Sequence, residues 1–201
     1  MVNRARFAPL LRRDAAPQVD VALATVSNGV KPWPKAQSPV SPPASAPQLF
    51  WEDFKPGRVF EHGPRRLPRD EMIGFAAEFD PQPMHLDDEA AGKTMLGGLA
   101  ASGWYLCCIL MRMSTDAFVL NSASMGAPGV DEVRWLRPVR PDEELSFRAT
   151  VLETRASKSR PDMGLVRFEF ELFNATGQRV MTLTTSLMMG RREPAAPKAA
   201  S

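Results

Sequence analysis

Apolar and polar residues alternate along three stretches in the second half of the chain, residues 145–151, 166–172 and 181–189. A period of two places one row of side chains on each face of a β-strand, so three half-buried strands are predicted. The apolar rows are Leu145, Phe147, Ala149 and Val151, then Val166, Phe168, Phe170 and Leu172, then Met181, Leu183, Leu187 and Met189. Residues 174–177, Asn-Ala-Thr-Gly, provide a hairpin turn that makes the last two strands antiparallel neighbours.

A helical period is found earlier in the chain. Asp70 and Glu71 follow Pro68, and acidic side chains are favourable in a first helical turn. Four apolar residues then follow at helical spacing, namely Met72, Phe75, Ala76 and Phe79. Asp87 is placed to cap a second, short helix that runs to about Lys93.

The longest apolar segment, residues 102–119, begins shortly after the glycine pair Gly97 and Gly98. Its apolar residues extend nearly all the way round a helical wheel, which predicts a helix buried on most sides. The adjacent Cys107 and Cys108 lie within this segment. We therefore predict that both are core thiols in a reducing compartment, outside any disulfide framework.

These elements predict an α+β fold. With residues 130–139 and an early strand at residues 58–60, the strands number about five, and they surround one long helix. We predict a single domain at residues 48–193, followed by a flexible C-terminal tail at residues 194–201.

Residues 1–47 have a different composition. They hold eight of the 19 prolines and no sustained apolar period, so a disordered N-terminal extension is predicted. The first 13 residues carry arginines and no acid, as an organelle transit peptide does. The alternatives are a low-complexity extension or a start codon assigned too early. We expect a cytoplasmic protein, with an organelle matrix as the alternative.

Charge and hydrophobicity exclude two kinds of partner. The chain has a net charge of +2, but the part after residue 47 has a net charge of −2. A basic nucleic-acid-binding domain is therefore not expected. The sequence also has no apolar run of the length, about 18 residues, that spans a membrane.

One loop carries the candidate chemistry. Residues 79–87, Phe-Asp-Pro-Gln-Pro-Met-His-Leu-Asp, place a carboxylate and an imidazole, Asp80 and His85, close together in sequence. Each proline restricts the residue before it, so Asp80 and Gln82 are predicted to be extended and the loop to be stiff. Such a pair can orient a water, one group taking its proton while the other passes a proton on. The ordinary alternatives are a carboxylate that braces its own loop and a partly buried structural imidazole.

Three stretches carry a resemblance to a known family. Residues 80–85, Asp-Pro-Gln-Pro-Met-His, resemble the Asp-x-Asn-Pro-hydrophobic-His signature of the MaoC-like dehydratases, which include the (R)-specific enoyl-CoA hydratases, with Gln in place of the usual Asn. Residues 97–104 and 134–143 are similar to further parts of that family, and the resemblance covers residues 49–189. It implies a single hot-dog fold, in which an antiparallel sheet wraps a long central helix. It also implies reversible hydration of a trans-2-enoyl thioester to the (R)-3-hydroxyacyl thioester.

In that family context Asp80 and His85 would be catalytic, and Gly103, Gln82 and Ser102 would bind substrate. The N–H of Gly103, at the positive end of the long helix, would stabilise charge on the thioester carbonyl. Gln82 is interpreted mainly as an amide that braces the loop. Ser102 replaces a usual His and Met111 replaces a usual Ser, which leaves the acyl chain and the direction of reaction open.

The resemblance implies no metal or separate cofactor, since coenzyme A or acyl carrier protein arrives as part of the substrate. One His and one Asp, with no other His or Cys nearby, do not make a zinc site. Five basic residues are candidates to bind the phosphates of coenzyme A, namely Arg137, Arg140, Arg155, Lys158 and Arg160.

Two other functions remain open from the sequence. Thioester hydrolysis is the alternative reaction, because a fold does not settle chemistry. A non-catalytic subunit that binds acyl thioesters is the alternative from another class. A lone hot-dog unit would expose a sheet edge and half of an acyl tunnel, so a homodimer is expected.

Overall fold

The computed structural model describes residues 46–193. The predicted C-terminal tail, the transit-peptide segment and nearly all of the predicted N-terminal extension lie outside these residues. The helices are α1 (Arg69–Phe79), α2 (Pro83–Leu86), α3 (Asp88–Gly92) and α4 (Gly103–Ala117), with short 3-10 turns at Trp51–Asp53 and Val119–Asn121. The strands are β1 (Val59–Arg66), β2 (Val130–Trp135), β3 (Glu144–Ala156), β4 (Met163–Asn174) and β5 (Arg179–Gly190). Within the described range, no helix combines the length and the hydrophobicity needed to cross a membrane.

The five strands form one sheet in the order β1-β3-β4-β5-β2, and every neighbouring pair is antiparallel. The predicted hairpin joins β4 to β5, with Gly177 at a positive φ of 76°. The predicted strand at residues 130–139 is too long, because β2 ends at Trp135. Pro138 lacks the N–H that a continued ladder would need.

Helix α4 packs on the inner face of this sheet. The predicted apolar rows of β3, β4 and β5 point toward it, and all of their residues are buried. Leu110 and Met113 of α4 have exposures of 1% and 0%. Phe168 stacks on Phe170 and on Phe118, each pair with ring centroids 5.3 Å apart, and so fills the space beyond the end of the helix. The architecture predicted from the alternation is confirmed.

One stripe of α4 is not covered, contrary to prediction. Trp104 is 60% exposed and Met111 is 51% exposed, and Cys108 between them is also exposed. Cys107 is partly buried and packs against the core, so the prediction of two core thiols is wrong for Cys108. The sheet of one chain wraps one side of the helix, and the apolar residues on the other side remain at the surface.

Gly164 of β4 lets an aromatic ring lie directly against the strand. The Trp51 indole occupies the space where a Cβ of residue 164 would stand. The indole N–H donates a hydrogen bond to the Leu165 carbonyl at 3.3 Å. This contact fastens the entering segment to the sheet.

Gly164→Ala is therefore expected to displace Trp51 and to lower the free energy of unfolding by about 1–3 kcal/mol, measured by urea denaturation. Gly92→Ala is the matched control, because a Cβ at Gly92 has no atom within 4 Å. Equal stability of the two variants would contradict this account of the packing.

Candidate active site

The loop after α1 folds back on itself through α2. Gln82 is extended as predicted, with φ −83° and ψ 139°, but Asp80, with φ −151° and ψ 63°, lies outside the fully extended region. Pro83 begins α2 instead of only preventing a helix, because a proline at the first helical position has no N–H to satisfy. The helical turn brings His85 back toward Asp80.

Asp80 and His85 lie side by side. The Oδ2 of Asp80 is 3.6 Å from the Nε2 of His85, and the two side chains are 16% and 9% exposed. The Nδ1 of His85 is 2.8 Å from the carbonyl oxygen of Ala100. Since a carbonyl can only accept, Nδ1 carries a proton, and in the corresponding neutral tautomer the lone pair of Nε2 faces Asp80.

Both oxygens of the Asp80 carboxylate accept hydrogen bonds. The Nε2 of Gln82 donates to Oδ1 at 2.7 Å, and the Oγ of Ser102 donates to Oδ2 at 2.6 Å. Burial by itself would raise the pKa of Asp80, but the hydrogen bonds from Ser102 and Gln82, and the positive charge of His85 when it is protonated, hold this pKa below its ordinary value of 3.8. Asp80 is therefore an ionised carboxylate at neutral pH.

Ser102 is hydrogen bonded to the Asp80 carboxylate and does not border the cavity described below. It is completely buried, and its Oγ accepts a hydrogen bond from the Trp104 N–H at 3.2 Å as the N-cap of α4. The sequence placed Ser102 and Gln82 among substrate contacts. That role stays a prediction; in the structure both side chains are hydrogen bonded to Asp80, and Gln82 also borders the cavity described below.

Gly103 is the first residue of α4, and its lack of a side chain is required by Trp135. A Cβ at Gly103 would lie 2.5 Å from the Trp135 ring, and the indole N–H donates to the Gly103 carbonyl at 3.0 Å. The N–H of a first helical residue has no acceptor within its own helix, so it is available to a ligand. Sequence reasoning missed Trp135; the glycine at the start of the helix was the only hint that a large group packs there.

Asp80 and His85, called the dyad below, line a cavity of about 460 Å³. The N-terminal end of α4 and the segment after β2 form its walls. Most of the lining side chains are apolar, namely Met95, Leu96, Leu106, Trp104, Trp135, Leu136 and Val139. Asp80, His85 and Arg137 are the ionisable groups among the described residues that line it. Met111, which by resemblance stands where the hydratases usually have a serine, does not border this cavity.

Arg140 has a structural task. Its guanidinium donates to the carbonyls of Leu96, Gly98 and Leu99, and so holds the segment that leads into α4. These contacts use three of the five N–H donors of the guanidinium. The prediction that Arg140 could bind coenzyme A is not supported by this geometry.

The other basic candidates are spread over the surface. Arg137 borders the cavity, whereas Arg155 lines a separate hollow on the sheet with Asp131. Arg160 forms an ion pair with Asp162, and Lys158 lies in the connection between β3 and β4. Within residues 46–193, no group of three or more His, Cys, Asp or Glu side chains is placed to hold a metal ion.

Comparison with known proteins identifies the family. Residues 53–167 match the family described as MaoC like domain. The chain belongs to the MaoC-like family. A MaoC-like dehydratase of known structure from Rhodospirillum rubrum is 40% identical, with a TM-score of 0.67, and the match covers 72% of this chain and 99% of that one. The predicted family and hot-dog fold are confirmed.

Two further relatives of this MaoC-like chain are informative. Mesaconyl-CoA hydratase from Haloarcula marismortui is 39% identical over 152 residues, a match that covers 73% of this chain but 41% of the hydratase. The chain thus spans less than half the length of that relative. The R-hydratase from Pseudomonas aeruginosa has a TM-score of 0.59 and 21% identity, covering 76% of this chain and 96% of that one, and it shares the fold. The family is one of hydratases and dehydratases.

The lowered pKa of Asp80 gives a pH dependence of stability in this MaoC-like domain. Because the folded pKa lies below the ordinary value of 3.8, the ionised carboxylate stabilises the fold fully above that pH and loses this effect as the pH falls through the folded pKa. The free energy of unfolding of the wild type minus that of Asp80→Asn should be constant down to about pH 5 and should fall below about pH 4. Urea denaturation across this range measures the difference, and a constant difference would contradict the assignment.

Proposed function

We propose that this MaoC-like domain adds water reversibly to a trans-2-enoyl thioester, giving the (R)-3-hydroxyacyl thioester. The observation that carries the proposal is the 3.6 Å approach of Asp80 to His85 inside the cavity beside the start of α4. Membership of a hydratase and dehydratase family supports the same class of reaction. So does 39% identity to a protein named mesaconyl-CoA hydratase.

The first step is to orient one water. The carboxylate oxygen and the imidazole nitrogen are both acceptors, and their separation allows one water to donate to both at ordinary lengths of about 2.8 Å. Both protons of that water would then point at protein groups. Its lone pairs would point into the cavity, toward C3 of the substrate.

His85 is the proposed carrier of the proton. As the water oxygen bonds to C3, the water O–H bond breaks and its proton passes to Nε2 of His85. The electron pair of the double bond moves toward the thioester carbonyl. The imidazolium then returns its proton to C2 on the same face, so the neutral imidazole is regenerated. Asp80 remains a carboxylate throughout and stabilises the imidazolium.

Charge that develops on the thioester oxygen needs a donor. The N–H of Gly103 lies at the positive end of α4 and borders the cavity. We propose that it donates to this oxygen, the task of an oxyanion hole. The contact of Trp135 with Gly103 would keep this N–H in place.

Purified protein supplied with crotonyl-CoA and longer enoyl-CoA esters should lose the absorbance of the conjugated double bond, and Asp80→Asn should lower kcat/KM by about 100-fold or more. Asn keeps the shape of the side chain but removes the negative charge that is proposed to stabilise the imidazolium form of His85.

Asp116→Asn is the matched control. Asp116 approaches the chain's other histidine, His62, at 4.0 Å, and neither of them borders the cavity of the dyad. Full activity of Asp80→Asn would refute the site. Release of free thiol without loss of the double bond would indicate a thioesterase, and binding without turnover would indicate an acyl-binding subunit.

We also propose a homodimer. Helix α4 has an exposed stripe formed by Trp104, Cys108 and Met111. Val130 is exposed on β2. Within the described residues β2 is an edge strand that pairs with β5 alone. Exposed apolar surface beside a free strand edge is typical of a subunit contact. A two-fold related copy would cover both.

Met111→Lys is expected to convert the dimer to a monomer, because a charge would have to be buried in the contact. Light scattering after size exclusion measures the mass. Leu152→Lys is the control, since Leu152 is 44% exposed but lies on β3, which has strands on both sides. A wild-type monomer, or equal effects of the two lysines, would exclude this interface.

A further inference from the structure

We propose that Ser102 is a positioning residue for the reaction: its hydroxyl ties the carboxylate of Asp80 to the first turn of α4. This inference rests on the function proposed above for Asp80 and His85. It gives the serine, which stands where the family resemblance places a histidine, a task that does not involve touching the substrate.

The burial of Ser102 sets its task. The residue has 0% exposure, so its side chain is out of reach of a molecule in the cavity. The hydroxyl has one proton, which it donates in a hydrogen bond to Oδ2 of Asp80, with Oγ and Oδ2 2.6 Å apart. A lone pair of the same oxygen accepts the Trp104 N–H at 3.2 Å. The serine is therefore a direct bridge between the backbone of α4 and the carboxylate.

The serine bridge contacts the same Asp80 oxygen that approaches His85. Oδ2 of Asp80 accepts the hydrogen bond from Ser102 and also faces Nε2 of His85 at 3.6 Å. The partner of Oδ1 is Gln82, whose side chain is exposed and thus less constrained. Without the serine, the carboxylate could rotate about its Cβ–Cγ bond. The position of Oδ2, the proposed acceptor of a hydrogen bond from the water, would then no longer be fixed by the buried helix.

The bridge also acts on charge. A donor that is itself polarised by a first-turn N–H favours the ionised form of Asp80. The other ionisable groups that line the cavity with Asp80 are His85 from α2 and Arg137 from the segment after β2. Replacing Ser102 changes neither of them. A change in the pKa of Asp80 on replacement would thus be due to the lost hydroxyl.

The experiment separates the hydroxyl from the helix cap. Ser102→Ala removes both the hydroxyl and a good N-cap, whereas Ser102→Gly removes the hydroxyl but leaves a residue that caps nearly as well. Ser102→Thr keeps the hydroxyl. Thr185→Val is the control for loss of a buried hydroxyl elsewhere, since Thr185 is 3% exposed and donates to the Gly129 carbonyl at the far end of β2.

Two readouts are needed in each variant. The first is the pKa of Asp80, from the pH titration of its carboxyl carbon by NMR. The second is kcat/KM for an enoyl-CoA ester at pH 7. We expect Ser102→Ala and Ser102→Gly to raise the pKa of Asp80 and to lower kcat/KM by about 10- to 100-fold, mainly through kcat. Ser102→Thr should restore both quantities, and Thr185→Val should alter neither.

Two results would overturn the proposal. One is an unchanged pKa of Asp80 in Ser102→Gly. The other is an activity of Ser102→Gly equal to that of the wild type while Ser102→Ala is impaired, which would assign the effect to the cap. If the wild type hydrates no thioester, the proposed function fails. The NMR titration would still show whether Ser102 controls Asp80.

Discussion

The burial of α4 against the sheet is the constraint on which the site depends. Leu110 and Met113 are fully enclosed, and each apolar side chain of that size contributes about 1.5–3 kcal/mol when it leaves water. With the helix fixed in this way, its first turn is fixed too. Two segments distant in sequence then meet it, namely the loop of Asp80 and the end of β2 at Trp135. Ala100, just before the helix, accepts a hydrogen bond from His85. The pair of Asp80 and His85 is thus assembled at the end of a helix that is anchored in the core.

The site resolves a conflict between burial and charge. A carboxylate that is mostly removed from water is destabilised unless donors replace the lost solvent. Ser102 and Gln82 are those donors, and the wall around them is largely apolar. The polar groups therefore serve as a preorganised substitute for water.

Much of the fold could be predicted, because alternation and helical spacing are local signals of burial. The apolar rows on either side of residues 174–177 and the long helix were predicted in this way. The exposed stripe of α4 could not be predicted, since Met111 and Cys108 are apolar in sequence whether sheet, solvent or another subunit faces them. The pairing of Asp80 with His85 was expected from the loop. The partners Ser102 and Trp135 depend on contacts between distant segments, for which the sequence carries no spacing signal.

Arg140 shows how far the site extends beyond the dyad. Its guanidinium holds the carbonyls of Leu96, Gly98 and Leu99, so the chain that follows is fixed up to Ala100, whose carbonyl accepts from His85. That acceptor keeps the proton of neutral His85 on Nδ1 and leaves Nε2 free to take one. Were the carbonyl to turn away, the proton could reside on Nε2, and the imidazole would face Asp80 as a donor. The placement of the His85 proton on Nδ1 therefore depends on a partly buried arginine that holds the segment leading to Ala100.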